Sequence, residues 1–334
     1  MRILLTGGAG YVGSACFRDF RRKGIEAFVF DDLSEGHAGA VEPDRLDVGD
    51  MRDTEAVARC LRDRDIDHVV HFAALISVPG SIADPSGYWS VNVDGSRSLL
   101  EAMRSTGVGR IVFSSTAAVY AHGLDRPIRE TDPISPATPY GTSKLAVEHL
   151  LQGYADAYGM GATALRYFNA SGADADGRHG EAHGVETHAI PLVIETALGR
   201  CAAFKLFGDQ FSTPDGSCIR DFVSVLDLAD AHLRALERLE PGRMERYNLG
   251  TGRGTSVKEV LAAAGKVAGR PVAHRIEPPR PGDPQILVAD ASRARAGLGW
   301  TPRRSGIEDI LDTAWRWHAA TPLGYRERGA ESAA

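Results

Sequence analysis

The sequence predicts an α/β protein built on a doubly wound parallel sheet, with a smaller C-terminal lobe that binds a substrate. Three observations carry this expectation. A short apolar run, Ile3-Leu4-Leu5, opens directly into Gly7-Gly8-Ala9-Gly10-Tyr11-Val12-Gly13 and then into a helical pattern over residues 14–23. Short apolar runs then alternate with helical segments, the signature of parallel strands joined by helical crossovers. From about residue 171 the alternation breaks up. The expected division is 1–170 for the sheet, with a later contribution from about 223–250, and 171–334 mainly for the second lobe.

Ile3-Leu4-Leu5 is continuously apolar, as a strand buried on both faces must be. In the turn after it, Gly8, Gly10 and Gly13 have the spacing of the dinucleotide fingerprint. The backbone there must bend sharply and approach a pyrophosphate, and the free N–H groups of the helix start hold the anion. The next strand, Ala27-Phe28-Val29-Phe30, ends in Asp31-Asp32, about 20 residues past the glycines. A carboxylate at that place accepts hydrogen bonds from the adenosine ribose and repels a 2′-phosphate, so NAD is expected over NADP.

Residues 54–63 read as a helix, 68–72 as a strand, 92–106 as a helix, 110–114 and 162–166 as strands. Ligands of such sheets lie at the carboxyl ends of the strands, which offer Gly7, Asp31, Ala73-Ala74 and Ser115-Thr116. Asp50-Met51 can border the adenine, and Tyr167-Phe168-Asn169 reaches the same sheet edge. His68 and His71 alternate within one strand and are read as structural. In the second lobe, a glycine- and histidine-rich loop over 172–184 leads to a helix over 190–198. Phe207-Gly208 and Thr213-Pro214-Asp215-Gly216 flank Arg220-Asp221, and a second arginine stands in Arg280-Pro281-Gly282-Asp283. Two arginines in separate loops suit a second diphosphate, because planar guanidinium groups grip phosphate oxygens in pairs. The end beyond Pro322 is polar and expected to be frayed.

At 334 residues the chain can bury a full core, and its net charge of −6 argues against a partner made of nucleic acid or an anionic membrane. Cys16, Cys60, Cys201 and Cys218 have no paired spacing, so neither a zinc site nor a disulfide framework is expected, no metal is assigned, and the reducing cytoplasm is the default. The N-terminal apolar run is too short for a signal peptide or a membrane span. The Asn169-Ala170-Ser171 sequon has no meaning in a cytoplasmic chain.

The stretch that carries chemistry is Tyr140-Gly141-Thr142-Ser143-Lys144. Pro139 suits a helix start, and Leu145, Val147, Leu150 and Leu151 give the helix a buried side. A spacing of four puts phenol and ammonium on one face, where a fixed cation favours the phenolate and brings a group of pKa about 10 into working range as a base. Thr116, just past a strand end, can meet the same ligand.

On these residues the chain resembles the extended short-chain dehydrogenase/reductases, with their Rossmann sheet, and within them the UDP-glucose 4-epimerase family. The resemblance runs from the glycine turn through Tyr140 and Lys144 to Asp290-Ala291-Ser292-Arg293-Ala294, and includes Leu165-Arg166-Tyr167-Phe168-Asn169, Arg220-Asp221-Phe222-Val223, Asp227-Leu228-Ala229-Asp230 and Tyr247-Asn248-Leu249-Gly250. It implies that NAD stays bound while Tyr140 takes the proton of the sugar 4-hydroxyl, Thr116 hydrogen-bonds the same oxygen, and Lys144 holds the nicotinamide ribose and lowers the tyrosine pKa. It adds Tyr11, Val12, Phe72, Asn92, Ser114 and Tyr167 to the cofactor contacts. The UDP portion of the substrate is gripped by Asn169, Phe207, Arg220, Arg280 and Asp283, with His188 where some relatives carry Asn. A homodimer is expected from the resemblance alone.

Three positions depart from the family pattern. Ile76 stands where many epimerases carry a lysine near the cofactor, Leu287 stands at the gate that admits or excludes an N-acetyl group, and Thr116 replaces the commoner serine. A 4-epimerase of another UDP-sugar, an N-acetylhexosamine or a pentose, is therefore the alternative. A 4,6-dehydratase would need an acid pair after Thr116, where Ala117-Ala118 stands. A non-catalytic NAD-sensing regulator would have no use for the complete Thr116, Tyr140 and Lys144 set.

Overall fold

Seven strands lie side by side in one all-parallel sheet, and every other element is placed by reference to it. The computed structural model describes residues 1–121, 123–124, 126–280 and 283–327. The chain begins with β1 (Arg2–Thr6), α1 (Tyr11–Arg22), β2 (Glu26–Asp31), β3 (Leu46–Val48), α2 (Thr54–Asp63) and β4 (His68–His71). Next come α3 (Val78–Ala83), α4 (Pro85–Tyr88), a π-helical stretch at Trp89–Asp94, α5 (Gly95–Thr106), β5 (Arg110–Thr116), α6 (Pro139–Tyr158), β6 (Gly161–Tyr167) and β7 (Asn169–Ser171). The rest holds α7 (Ala189–Ala197), β8 (Phe204–Phe207), β9 (Ile219–Arg220), β10 (Phe222–Ser224), α8 (Val225–Leu236), β11 (Met244–Leu249), β12 (Thr255–Ser256), α9 (Val257–Ala268), β13 (His274–Glu277), β14 (Ile286–Leu287), α10 (Ser292–Leu298) and α11 (Ile307–Ala320).

The order β11-β6-β5-β4-β1-β2-β3 is the doubly wound arrangement that the alternation predicts, and it reverses between β1 and β4. That reversal opens a crevice at the carboxyl ends of the strands. Strand β11 enters from far along the chain and pairs with β6 from Met244↔Ala162 to Leu249↔Tyr167. One face of the sheet packs on Phe17, Phe20 and Leu228, from α1 and α8, and the other on Leu61, Leu99 and Leu151, from α2, α5 and α6. A separate cluster around Ile190, Val260 and Leu311 joins α7, α9 and α11. No helix among the described residues is long and apolar enough to cross a membrane.

One expectation needs correction. The chain beyond Pro322 is not frayed as far as it is described: Gly324–Glu327 forms a 3-10 turn, and Tyr325 is 5 % exposed. Its ring packs against Trp317 at 4.8 Å between centroids and its hydroxyl meets His179 Nδ1 at 2.7 Å, so one aromatic anchor outweighs the polar composition around it. Residues 328–334 lie outside the described residues. The histidine-rich loop is tied to α1, where Asp174 pairs with Arg22 and Arg18 and His179 Nε2 lies 2.6 Å from Ser14 Oγ.

Helix α6 begins where Thr138 Oγ1 accepts the Gly141 N–H at 3.2 Å with Pro139 at the first position, and it stops at Gly159. One turn beyond Lys144, the buried Glu148 carboxylate takes Arg166 Nε and Nη2 at 2.9 and 2.6 Å, Ser115 Oγ at 2.6 Å and Arg246 Nε at 3.2 Å. Burial pushes this carboxyl up, but the Arg166 hydrogen bonds and charge outweigh it and hold the group below its ordinary range. Leaving Arg166 buried and unpaired costs about 3–5 kcal/mol. Glu148→Ala is therefore expected to lower unfolding stability by about that amount in urea titrations. A loss under about 1 kcal/mol would show that α6 is held by its apolar contacts instead.

Candidate active site

The glycine turn is built for a ligand rather than for packing alone. Gly7 has φ of +69°, and a Cβ there would lie 2.3 Å from the Ala73 nitrogen, so β1 and the end of β4 can touch only through bare backbone. Gly10 is different. A Cβ on it would meet only Gly7 O, at 3.4 Å, so the protein itself leaves room on the outer side. Gly10 caps α1 without any side-chain hydrogen bond, which leaves the first N–H groups of a twelve-residue helix to an anion. Gly13 lies on the buried side of the first turn, while Tyr11 and Val12 are partly open.

At the end of β2, Asp31 is 7 % exposed and its two oxygens accept the Ala9 and Leu33 N–H groups, each at 2.9 Å. Burial pushes its carboxyl up from the ordinary value, against those hydrogen bonds. Asp32 is exposed and accepts from Ser34, and Asp50 holds Arg52 in an exposed pair. Met51 packs near Gly95, and Phe72 stacks on His232 at 4.8 Å. Ala73 and Ala74 are partly open at the end of β4. Asn92 sits in the π-helical stretch with its amide bonded to Leu75 N, Leu75 O and Ser143 Oγ, which ties the loop after β4 to α6. Its two N–H donors are taken by Leu75 O and Ser143 Oγ, while Oδ1 accepts one bond, from Leu75 N. His71 is structural as expected: it bonds Thr6 Oγ1 and Ser96 Oγ, and burial drives it down to about 3.

The end of β5 collects the catalytic candidates. Lys144 is 2 % exposed and donates to Ser114 O at 2.9 Å, with its ammonium 4.9 Å from the Phe113 ring centre. Desolvation lowers it to about 7. The Tyr140 hydroxyl, in the same desolvated place, is pushed up to about 12, and the neighbouring Thr116 hydroxyl pulls it partly back. In the chain without its cofactor, burial is the main influence on both groups, upward on the Tyr140 phenol and downward on the Lys144 ammonium. Thr116 Oγ1 also accepts the Ala118 N–H. Tyr167 is buried nearby, with its hydroxyl 2.5 Å from His232 Nε2.

Several substrate candidates pair with one another. The Arg280 guanidinium lies 3.9 Å above the Phe207 ring centre, and Arg220 Nη2 pairs with Asp283 at 2.6 Å. Leu287 stands opposite Arg220 in the β9–β14 pair and packs in the small cluster of Phe168, Leu145 and Tyr120. Pro281 and Gly282 lie outside the described residues. Asn169 starts β7, and its Oδ1 is buried without a hydrogen-bond partner. An orphaned acceptor of this kind is costly unless a ligand satisfies it. Ile76 is exposed.

One further group of titratable side chains contains no cysteine. Glu181, His183, Glu186 and His188 gather before α7, with His188 Nδ1 2.6 Å from Glu181 Oε1. Burial disfavours a charged ring, but Glu181 and Glu186 outweigh it and raise His188 to about 10. The signal was legible as a Glu-x-His-x-x-Glu-x-His run.

With this geometry in view, residues 3–250 match the NAD dependent epimerase/dehydratase family. The chain belongs to that family. A UDP-glucose 4-epimerase of Halalkalibacterium halodurans is 44 % identical over 326 residues, covering 97 % of this chain and 98 % of its own. The crystal structure of UDP-glucose 4-epimerase from Brucella ovis in complex with NAD aligns with a TM-score of 0.91 at 41 % identity, covering 94 % of this chain and 97 % of that one. One from Stenotrophomonas maltophila, with bound NAD and formylated UDP-arabinopyranose, aligns at 0.93 and 38 % identity over 96 % and 99 %. The outward bareness of Gly10, the uncapped start of α1 and the Asp31 carboxylate fit the NAD on which this epimerase/dehydratase family depends.

Two outcomes test the site. Gly10→Ala is expected to leave the fold intact and weaken NAD retention, whereas Gly7→Ala destabilises the chain itself; equal melting losses for both would refute the distinction. Lys144 loses its proton near pH 7 when folded and near 10.5 when unfolded. Between those values the unfolded chain binds more protons, so the wild type gains stability with rising pH, by up to about 1.4 kcal/mol per unit. Lys144→Met should lack that gain, so the stability of the NAD-free wild type relative to it rises from pH 7 to 10.5. A pH-independent difference in urea titrations would contradict the burial effect.

Proposed function

We propose that this enzyme interconverts UDP-glucose and UDP-galactose by inverting C4 of the hexose. The observation that carries the reading is the meeting of Tyr140, Thr116 and Lys144 at the end of β5, beside the crevice that the glycine turn enters. Tyr140 takes the proton of the 4-hydroxyl as general base, and Thr116 donates a hydrogen bond that steadies the same oxygen. Bound NAD would supply the hydride acceptor and donor at C4, so the sugar passes through a 4-keto form without net oxidation. The positive charge of the oxidised nicotinamide is what would favour the Tyr140 phenolate that the bare chain disfavours. Lys144, tethered by Ser114 O, is suited to hold the nicotinamide ribose.

Arg220 and Arg280 grip the diphosphate, Phe207 and Asp283 orient those arginines, and the unsatisfied Asn169 Oδ1 accepts from the bound substrate. His188, at the start of α7, adds a phosphate contact. In this reading NAD belongs to residues 1–170 and about 223–250, and the UDP-sugar mainly to 171–334. A cytoplasmic setting in galactose metabolism belongs to the same reading, and a homodimer is proposed from the resemblance alone. The half-buried Leu287 favours a second reading, a 4-epimerase of a UDP-N-acetylhexosamine or UDP-pentose.

The test is incubation with UDP-galactose, and separately with UDP-N-acetylgalactosamine, without added NAD. UDP-glucose with no lasting NADH is the expected product of the first. Tyr140→Phe is expected to keep NAD and lose about 10²–10⁴-fold in turnover. Full activity in that variant would sink the mechanism, and no product from either substrate, even with NAD added, would favour a pentose.

A further inference from the structure

The Glu181, His183, Glu186 and His188 cluster has the composition and spacing of a metal centre. One ligand atom from each lies within 4.8 Å of all the others. His183 Nδ1 is 3.4 Å from Glu181 Oε1 and 3.3 Å from Glu186 Oε2, while His188 Nδ1 is 2.6 Å from Glu181 Oε1 and 3.4 Å from Glu186 Oε1. A tetrahedral zinc ion, with bonds of about 2.0–2.2 Å to nitrogen and oxygen, holds its donors roughly 3.3 Å apart. Three of these four separations already lie there. The Glu181–His188 pair is closer than that and must open to admit an ion, and all four ligand atoms lie within 4.8 Å of one another.

The segment that carries them is fixed from outside. Trp317 Nε1 donates to Glu181 O at 2.8 Å, His37 Nε2 lies 2.7 Å from Ala182 O, and Glu181 itself is 4 % exposed. Its donors are two imidazoles and two carboxylates without sulfur, a set that suits zinc and its first-row neighbours, whereas magnesium prefers six oxygens with several waters.

We propose that this cluster binds one divalent transition cation of the zinc class. The cation replaces the protons that otherwise join the rings to the carboxylates, and two neutral imidazoles with two carboxylates balance its charge. Bound there, it staples residues 181–188 and fixes His188 at the start of α7. The proposal does not rest on the epimerase reading, because its test measures binding.

Full-length protein stripped with a chelator is titrated with Zn²⁺, Co²⁺ and Mg²⁺. One zinc per chain is expected, with the intense visible absorption of tetrahedral cobalt, displaced by zinc, and no saturable magnesium binding. His183→Ala and Glu186→Gln, each checked for a cooperative melt, should weaken zinc binding about 100-fold or more, since even outer-shell partners contribute 10–100-fold. No saturable zinc binding by the wild type, or undiminished binding by both variants, would overturn the proposal.

Discussion

The buried pair of Glu148 and Arg166 is the constraint on which the active site depends. Tyr140, Lys144 and Glu148 follow one another at intervals of four on α6, so they share one face of the helix. The first two meet the end of β5, and the third clamps the helix to β5, β6 and β11 at once through Ser115, Arg166 and Arg246. Arg166 passes the connection on to Tyr120, whose hydroxyl bonds Asn248. Rotation of α6 that misplaced the phenol would also break this ionic network. Precision at the surface of the crevice is therefore set by charges beneath it.

The same burial has opposite effects along that helix face. Glu148 has enough cationic partners to stay ionised in spite of desolvation, whereas Tyr140 and Lys144 do not, and each is driven toward its neutral form. The protein thus stores two groups close to neutrality where a charged ligand is to arrive. A cofactor with a cationic ring changes that balance more than it could at a solvated site, because the local dielectric is low.

Much of this was legible in the sequence because it rests on local rules. Gly7 to Gly13, the apolar runs of β1 and β2 and the Thr138-Pro139 start of α6 are each fixed by neighbours within a turn or a strand. The structural role of His71, by contrast, rests on Thr6 and Ser96, far away in the chain, and what escaped the sequence also depends on distant partners. Glu148 and Arg166 look like ordinary surface charges until β6 and α6 are packed together. Tyr325 belongs to a polar tail by composition and to a core by its contacts with Trp317 and His179. The spacing of Tyr140 and Lys144 reports their proximity and says nothing of the desolvation that acts on both. Arg220, Arg280, Phe207 and Asp283 were found singly, and only the fold shows that they form two stacked or paired couples.

The short β9–β14 pair has a consequence for how the site can change. Leu287 lies opposite Arg220, and its position is set by main-chain bonding, with Leu287 O accepting the Asp221 N–H at 3.1 Å. Asp221 in turn holds Thr251, Gly252 and Ala289 through its carboxylate. The backbone at 287 is thus independent of the side chain it carries, which is only half-buried. Under the proposed reading, a larger or smaller residue there reshapes the sugar site while Arg220 keeps its place, so that sugar preference and grip on the nucleotide can vary separately.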